Sequence, residues 1–219
     1  SKNTKKKLGN HKIVLCVPST LIYSFNKKMK SKFISLGAQN CHYKQGYGPY
    51  TGSISASMLK KAGAKYIILG HSENRLDGDT DSSICKKIHS ALHENLKVIF
   101  CVGETFSERK QKKTFSVLKK QLNRSLLKFS KNKNIIIAYE PFWSIGTNKI
   151  PKTTDIIKTI KFIKKCTKEI YKKRFIPKVL YGGSVNDKNI RLFSSIAEID
   201  GFLVGGASQS SKKFIDIVK

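Results

Sequence analysis

Glu140 closes an apolar run, Ile135-Ile-Ile-Ala-Tyr139, and is followed by Pro141 and a segment that ends at Gly146. A continuous apolar run marks a strand buried on both faces. A carboxylate at its C-terminal end, before a loop of apolar residues and Gly, has the makings of a general base beneath a lid. The same residues also suit a strand-end Glu exposed in a turn. His71 stands at a second strand end, after Tyr66-Ile-Ile-Leu-Gly70. Two further strand ends carry glycine pairs, Gly182-Gly183-Ser184 and Gly205-Gly206. Glycines let backbone N–H groups approach an anion, and the N-terminus of a following helix adds its dipole. Either pair alone reads as a tight turn. Together on the last two strands they read as a phosphate cup. A carboxylate, an imidazole and an anion cup on one rim could move protons between adjacent carbons of a phosphorylated sugar.

The elements that must position these groups alternate throughout. Strands are expected at 13–17, 33–39, 66–69, 98–102, 135–140, 176–181 and 199–204. Between them the pattern predicts a helix capped by Ser19 and running to about Lys32, with Leu21, Ile22 and Phe25 inward. It predicts further helices over 55–62 (ended by Gly63), 80–95, 107–129, 153–171 and 186–195, and a final one to Lys219. Ile84, Ile88, Ala91 and Leu92 form one inner stripe, and Phe115, Leu118, Leu122 and Leu126 another. Seven strand–helix units in strict alternation, about 30 residues each, give a parallel sheet with helices on its faces. No Gly-x-Gly-x-x-Gly follows the first strand, so a dinucleotide-binding form is unsupported. The polar and Gly-rich ends (Gln39-Asn40, His71-Ser-Glu73, Gly103-Glu104, Glu140, Gly182-Gly-Ser184, Gly205-Gly206) fall on different strands, which is the (β/α)8 TIM barrel pattern. The expected organisation is a basic, frayed segment at 1–12 and one barrel domain at 13–219.

Composition narrows the function. Of 219 residues 39% are hydrophobic, with 12 Phe and 8 Tyr, enough for a folded core. No apolar run approaches the roughly 20 residues that span a bilayer. The basic start, Ser1 to Lys7, lacks the apolar stretch of a secretory signal, so a cytoplasmic location is expected and no membrane partner. The five cysteines (Cys16, Cys41, Cys85, Cys101, Cys166) show no Cys-x-x-Cys or Cys/His cluster, so no metal is expected. Cys16 and Cys101, inside apolar runs, read as buried thiols. The formal charge of +29 first suggests nucleic acid. But the lysines are dispersed, and no strand alternates basic with aromatic residues, so no specific nucleic-acid partner is expected. Such a field would draw in a small anion.

The motifs resemble one family over nearly the whole chain. Gly37-Ala-Gln-Asn40, Tyr50-Thr-Gly52, Ile68-Leu-Gly-His-Ser-Glu73, Cys101-Val-Gly-Glu104, Ala138-Tyr-Glu-Pro-Phe-Trp-Ser-Ile-Gly-Thr147, Tyr181-Gly-Gly-Ser-Val185 and Asp200-Gly-Phe-Leu-Val-Gly-Gly-Ala-Ser208 are similar, in order, to those of the triosephosphate isomerases. The resemblance implies a cofactor-free aldose–ketose isomerase of glycolysis and gluconeogenesis that interconverts dihydroxyacetone phosphate and D-glyceraldehyde 3-phosphate. It implies Glu140 as the base, His71 as the electrophile, and Pro141 to Thr147 as a closing lid. Gly146, Ser184, Gly205 and Gly206 match phosphate-binding positions, and Glu73 a carboxylate beside the active-site groups. Glu104 is expected to give support from the neighbouring strand. The family is homodimeric through a loop that matches 41–52, with Thr51 approaching the neighbour's site.

The resemblance also has departures. The family begins with a strand bearing an Asn and a Lys two residues apart, whereas Ile13–Val17 corresponds to its second strand. The expectation is therefore a barrel without its first strand and helix, from a sequence cut short at its N-terminus. The alternative is an inactive or impaired homologue that binds a phosphorylated ligand or a protein partner. Asn74 replaces an Arg, Asp79 a Glu, Phe142 and Ser144 a Val and an Ala, and Asn148 a Gly. The loop from Cys41 to Tyr50 is one residue longer and carries Pro49.

Overall fold

Apolar runs rich in Ile, Val and Leu become short parallel strands because both faces can be buried under the helices that link them. The computed structural model describes residues 11–147 and 149–219, so the expectation for residues 1–12 lies, apart from His11 and Lys12, outside the described residues, as does that for Asn148. Among the described residues there are seven strands, and their order in the sheet follows the chain. The chain divides into two units, one up to Phe100 and one from Cys101.

The first unit holds β1 (Ile13–Val17), α1 (Ser19–Lys28), β2 (Ile34–Ala38), α2 (Ala56–Ala62), β3 (Tyr66–Leu69), α3 (Ser72–Leu76) and α4 (Asp81–His93), and the start of β4 (Lys97–Val102). β1 pairs parallel with β2 from Ile13↔Ile34 to Val17↔Ala38, and β3 with β4 from Tyr66↔Lys97 to Leu69↔Phe100. Ile67, Leu69, Val98 and Phe100 are wholly buried, and Ile84, Ile88, Ala91 and Leu92 of α4 are buried as well. Helix ends obey local chemistry. Ser55 accepts from the Met58 N–H, Gly63 ends α2 at φ 116°, and Thr80 and Ser83 form a reciprocal cap on α4.

Two expectations fail here. Ser19 does not cap α1: Pro18 occupies the cap position, and no side chain makes a cap bond there. Of the proposed inner residues Ile22 is buried, but Leu21 and Phe25 are 42% and 39% exposed. A ten-residue helix here buries only a narrow stripe. The third helix, Ser72–Leu76, escapes an apolar-period reading because a capping His71 and the turn geometry make it, not a hydrophobic face.

The second unit holds the end of β4, then α5 (Phe106–Lys110), α6 (Thr114–Leu126), β5 (Ile135–Tyr139), α7 (Thr153–Ile170), β6 (Val179–Tyr181), α8 (Ile190–Ser194), β7 (Gly201–Phe202) and α9 (Ser211–Val218). The single helix expected at 107–129 is two helices. Thr105 and Glu108 cap the first reciprocally, and Lys112 at φ 57° breaks the run. Leu118, Leu122 and Leu126 are wholly buried, whereas Phe115 is 45% exposed, its ring 4.6 Å from that of Phe162. β6 is shorter than the expected 176–181, beginning past Pro177, which lacks the N–H a ladder needs. α8 starts late because Asn186 and Asn189 bond one another's backbone and build a turn. β7 shrinks to two residues of the expected 199–204.

Cys101 is buried as expected, while Cys16 is only partly so. Burial still pushes the Cys16 thiol up to about 12. Among the described residues no helix is long and apolar enough to cross a membrane.

Candidate active site

In the second unit, β5 ends by delivering Glu140, a carboxylate only 2% exposed. The Glu140 N–H donates to the Val102 carbonyl at 2.9 Å, and the Phe142 N–H to the Glu104 carbonyl at 3.1 Å. Gly103 sits between those two acceptors. A Cβ there would overlap the Glu140 carbonyl and stand 2.9 Å from the Phe142 ring. On the other flank the Gly182 N–H donates to the Tyr139 carbonyl at 2.9 Å. A Cβ on Gly182 would lie 2.9 Å from Glu140 Cγ and 3.2 Å from its Oε1. The Glu140 side chain thus lies against bare backbone, and Gly182 is small to make room for it. Gly183 is crowded for a different reason: a Cβ would run into Tyr181 Oη and stand 2.7 Å from Ser144 Oγ.

On the neighbouring strand end a second carboxylate, Glu104, is fully buried. It accepts from Trp143 Nε1 at 3.1 Å and from Tyr139 Oη at 3.3 and 3.4 Å, with Arg109 at 3.5 Å. Burial pushes its pKa above the ordinary value. The Trp143 hydrogen bond, Arg109 and Tyr139 oppose that push. Arg109 also bonds Asp155 of α7 at 2.7 Å and stacks 4.7 Å from the Trp143 ring centroid. Trp143 belongs to a 3-10 turn, Phe142–Ser144, which follows Pro141. The segment's far end is tied by Thr147 Oγ1, which donates to the Trp143 and Ser144 carbonyls.

Ser184 holds the left-handed region at φ 48°, and its hydroxyl donates to the Ser144 carbonyl. Ser184 and the expected lid therefore meet directly. Gly146, at φ 68°, is exposed. Gly205 and Gly206 are exposed as well, and a Cβ on either would meet nothing within 4 Å. The two glycine pairs are thus unlike: Gly182 and Gly183 answer crowding, whereas Gly205 and Gly206 leave backbone open to approach. The segment after Gly205 is a 3-10 turn, with Ser208 bonding back to the Gly205 carbonyl.

In the first unit His71 caps α3. Its Nδ1 accepts from the Glu73 N–H at 3.4 Å, which leaves Nε2 as the ring nitrogen that can carry and offer a proton. The Glu73 carboxylate lies 3.7 Å from the same Nδ1 but is 80% exposed. A screened contact of that kind is weaker than the cap, so the acceptor role of Nδ1 stands. Arg75 fastens the strand end from below, donating to the Gly70 carbonyl at 2.9 Å and pairing with Asp81 of α4 at 2.8 Å. Thr51 is exposed in the 41–52 loop, beside Gly52 at φ 80°. At the foot of that loop Asn40 accepts from Lys87 at 3.1 Å and donates to Asn74 at 2.8 Å, while Lys87 also bonds Asp79 at 2.7 Å. The departures Asn74 and Asp79 are therefore both members of one network.

A family model described as triosephosphate isomerase matches residues 1–219. The chain belongs to the triosephosphate isomerase family. The triosephosphate isomerase of Thermodesulfovibrio yellowstonii is 42% identical over 216 residues, covering 98% of this chain and 87% of that protein. That of Dictyoglomus turgidum is 43% identical over 223 residues, covering 100% and 89%. The crystal structure of triosephosphate isomerase from Bartonella henselae superposes with a TM-score of 0.85 at 38% identity, covering 96% of this chain and 86% of that one. The fold class is accordingly the α/β barrel of (β/α)8 type, as its strand–helix alternation predicted.

Sequence reasoning placed Gly103 and Gly182 at strand ends but passed over both as packing residues, and it passed over Gln121. A Gly after a strand is visible, but what it makes room for is not. Gln121, in the middle of α6, gave no signal beyond a polar residue beside an apolar stripe.

Proposed function

We propose that this protein interconverts dihydroxyacetone phosphate and D-glyceraldehyde 3-phosphate, with Glu140 as the base and His71 as the electrophile. The activity follows from membership of the triosephosphate isomerase family at 42–43% identity to the relatives above. The observation that carries the role of Glu140 is its burial against Gly182, next to a turn that can cover a substrate. There a carboxylate can take a carbon-bound proton out of contact with water. His71, with Nδ1 committed to a backbone N–H, offers Nε2–H to a substrate oxygen as an enediolate forms. Gly146, Ser184, Gly205 and Gly206 hold the phosphate through backbone N–H groups. Glu73, which faces solvent, acts through its backbone N–H on His71. No cofactor takes part in this proton transfer.

The same reading makes the protein a cytoplasmic homodimer in which the 41–52 loop meets the second copy and Thr51 approaches its site. None of its five cysteines is in a disulfide, which suits a reducing compartment.

A coupled isomerase assay tests the assignment. Glu140→Asp keeps the carboxylate but withdraws it by about 1 Å, which should lower kcat roughly 100-fold. Equal activity in wild type and variant would remove Glu140 as the base.

A further inference from the structure

Gln121 lies on α6 between Leu118 and Leu122, and it is 8% exposed. Both ends of its amide are spent on one residue. The Gly103 N–H donates to Gln121 Oε1 at 3.0 Å, and Gln121 Nε2 donates to the Gly103 carbonyl at 2.9 Å. A helix side chain that takes both backbone groups of a single glycine fixes the two peptide planes that meet at its Cα, as a strand partner would. Gly103 is also the residue whose bare Cα faces the Glu140 carbonyl and the Phe142 ring. Its neighbours Val102 and Glu104 accept the Glu140 and Phe142 N–H groups. The backbone that carries Glu140 therefore rests on three successive residues, and Gln121 clamps the middle one.

We infer that Gln121 is a positioning residue for Glu140, acting through the Gly103 peptide. The inference rests on the reading of Glu140 as the base. If Gly103 rotates, its carbonyl and N–H leave Gln121, and the peptide planes on either side turn with it. The plane before Gly103 carries the Val102 carbonyl that holds the Glu140 N–H, and the plane after it leads into Glu104, whose carbonyl holds Phe142. A displacement of the base by a fraction of an ångström reaches the chemical step directly, while the bonds between Gln121 and Gly103 involve neither Gly205 nor Gly206. Loss of the clamp should therefore appear in kcat and not in KM.

The test compares Gln121→Met, close to Gln in shape but without its polar atoms, with Leu122→Ala, a neighbouring core deletion that makes no bond to Gly103. Both are assayed for isomerisation at a temperature where circular dichroism shows them folded. Gln121→Met should lower kcat about tenfold or more with KM within about twofold, because a base misplaced by less than 1 Å loses rate steeply. Leu122→Ala should lower the melting temperature with kcat within about twofold of wild type, since cavities act on stability. Should Gln121→Met fail to fold, Gln121→Asn, which is too short to span both groups, takes its place with the same expectation. Wild-type kcat in a folded Gln121 variant, or an equal kcat loss in Leu122→Ala, overturns the inference. Glu140→Asp in the same assay separates the two claims. If it is impaired while the Gln121 variant is not, only the positioning role falls. If it is fully active, the base assignment falls first.

Discussion

Glu140 and Glu104 show how two carboxylates one strand apart come to differ. Glu140 lies against Gly182 with its backbone pinned by Val102. Glu104 lies among Trp143, Tyr139 and Arg109. Its pKa is raised in the folded protein chiefly by burial, from a reference of 4.5. A raised acid pKa means that the folded state holds the proton to higher pH than the unfolded chain does. Its contribution to stability is then present below the unfolded value and lost as pH rises through the folded one. Glu104→Gln removes that titration. Between pH 4 and 7 the melting temperature of the variant should accordingly gain on that of wild type as pH rises. Parallel melting curves would show that Glu104 does not titrate in this window. The motif Cys-Val-Gly-Glu made Glu104 visible as a supporting residue. That it anchors the Phe142–Ser144 turn through Trp143 required the fold, because Trp143 lies 39 residues further along the chain.

At the scale of elements, single polar side chains join helices to strand ends, loops and one another. Gln121 joins α6 to the end of β4. Arg109 joins α5 to α7 through Asp155. Lys87 joins α4 to the foot of the 41–52 loop through Asn40 and Asp79. The Lys87 and Asp79 side chains are 10% and 11% exposed. Breaking a buried pair leaves an uncompensated charge, so Lys87→Met should cost about 3 kcal/mol in denaturant unfolding. It should also loosen the loop, seen as faster hydrogen exchange over residues 41–55. A cost below about 1 kcal/mol would mean that water already screens the pair. These elements were legible to different degrees. The apolar stripes of α4 and α6 gave their positions because burial repeats with the helical period. The break at Lys112 and the short α3 were hidden, because local capping and a left-handed residue make them rather than a stripe.

For the whole molecule, the dominant property is a formal charge of +29. Its lysines are spread over many elements, so the field is broad. A dianionic triose phosphate would be drawn in from a distance, and added salt would screen that pull over a Debye length of about 10 Å at 0.1 M. The expected result is a kcat/KM that falls several-fold between 10 and 200 mM salt while kcat stays level. A flat dependence would show that the charge does not speed encounter. The second measurement at this scale is native mass. The proposed dimer should sediment at about twice 24.7 kDa, and shortening the 41–52 loop should shift it towards the monomer.

The sequence by itself determined the α/β alternation, the strand ends that carry His71, Glu140 and the two glycine pairs, and the family to which their spacing belongs. Those features are local: a buried strand reads as an apolar run, and a site built on strand ends sits where each run stops. Only the tertiary structure decided what each strand-end residue touches. It made Gly182 a space for the Glu140 side chain and left Gly205 and Gly206 open. It set Ser184 on the Phe142–Ser144 turn and turned the Glu73 side chain to solvent. It spent both ends of Gln121 on Gly103. Such roles come from residues tens of positions apart meeting at van der Waals or hydrogen-bond distance, and residue type alone does not encode which neighbour will arrive.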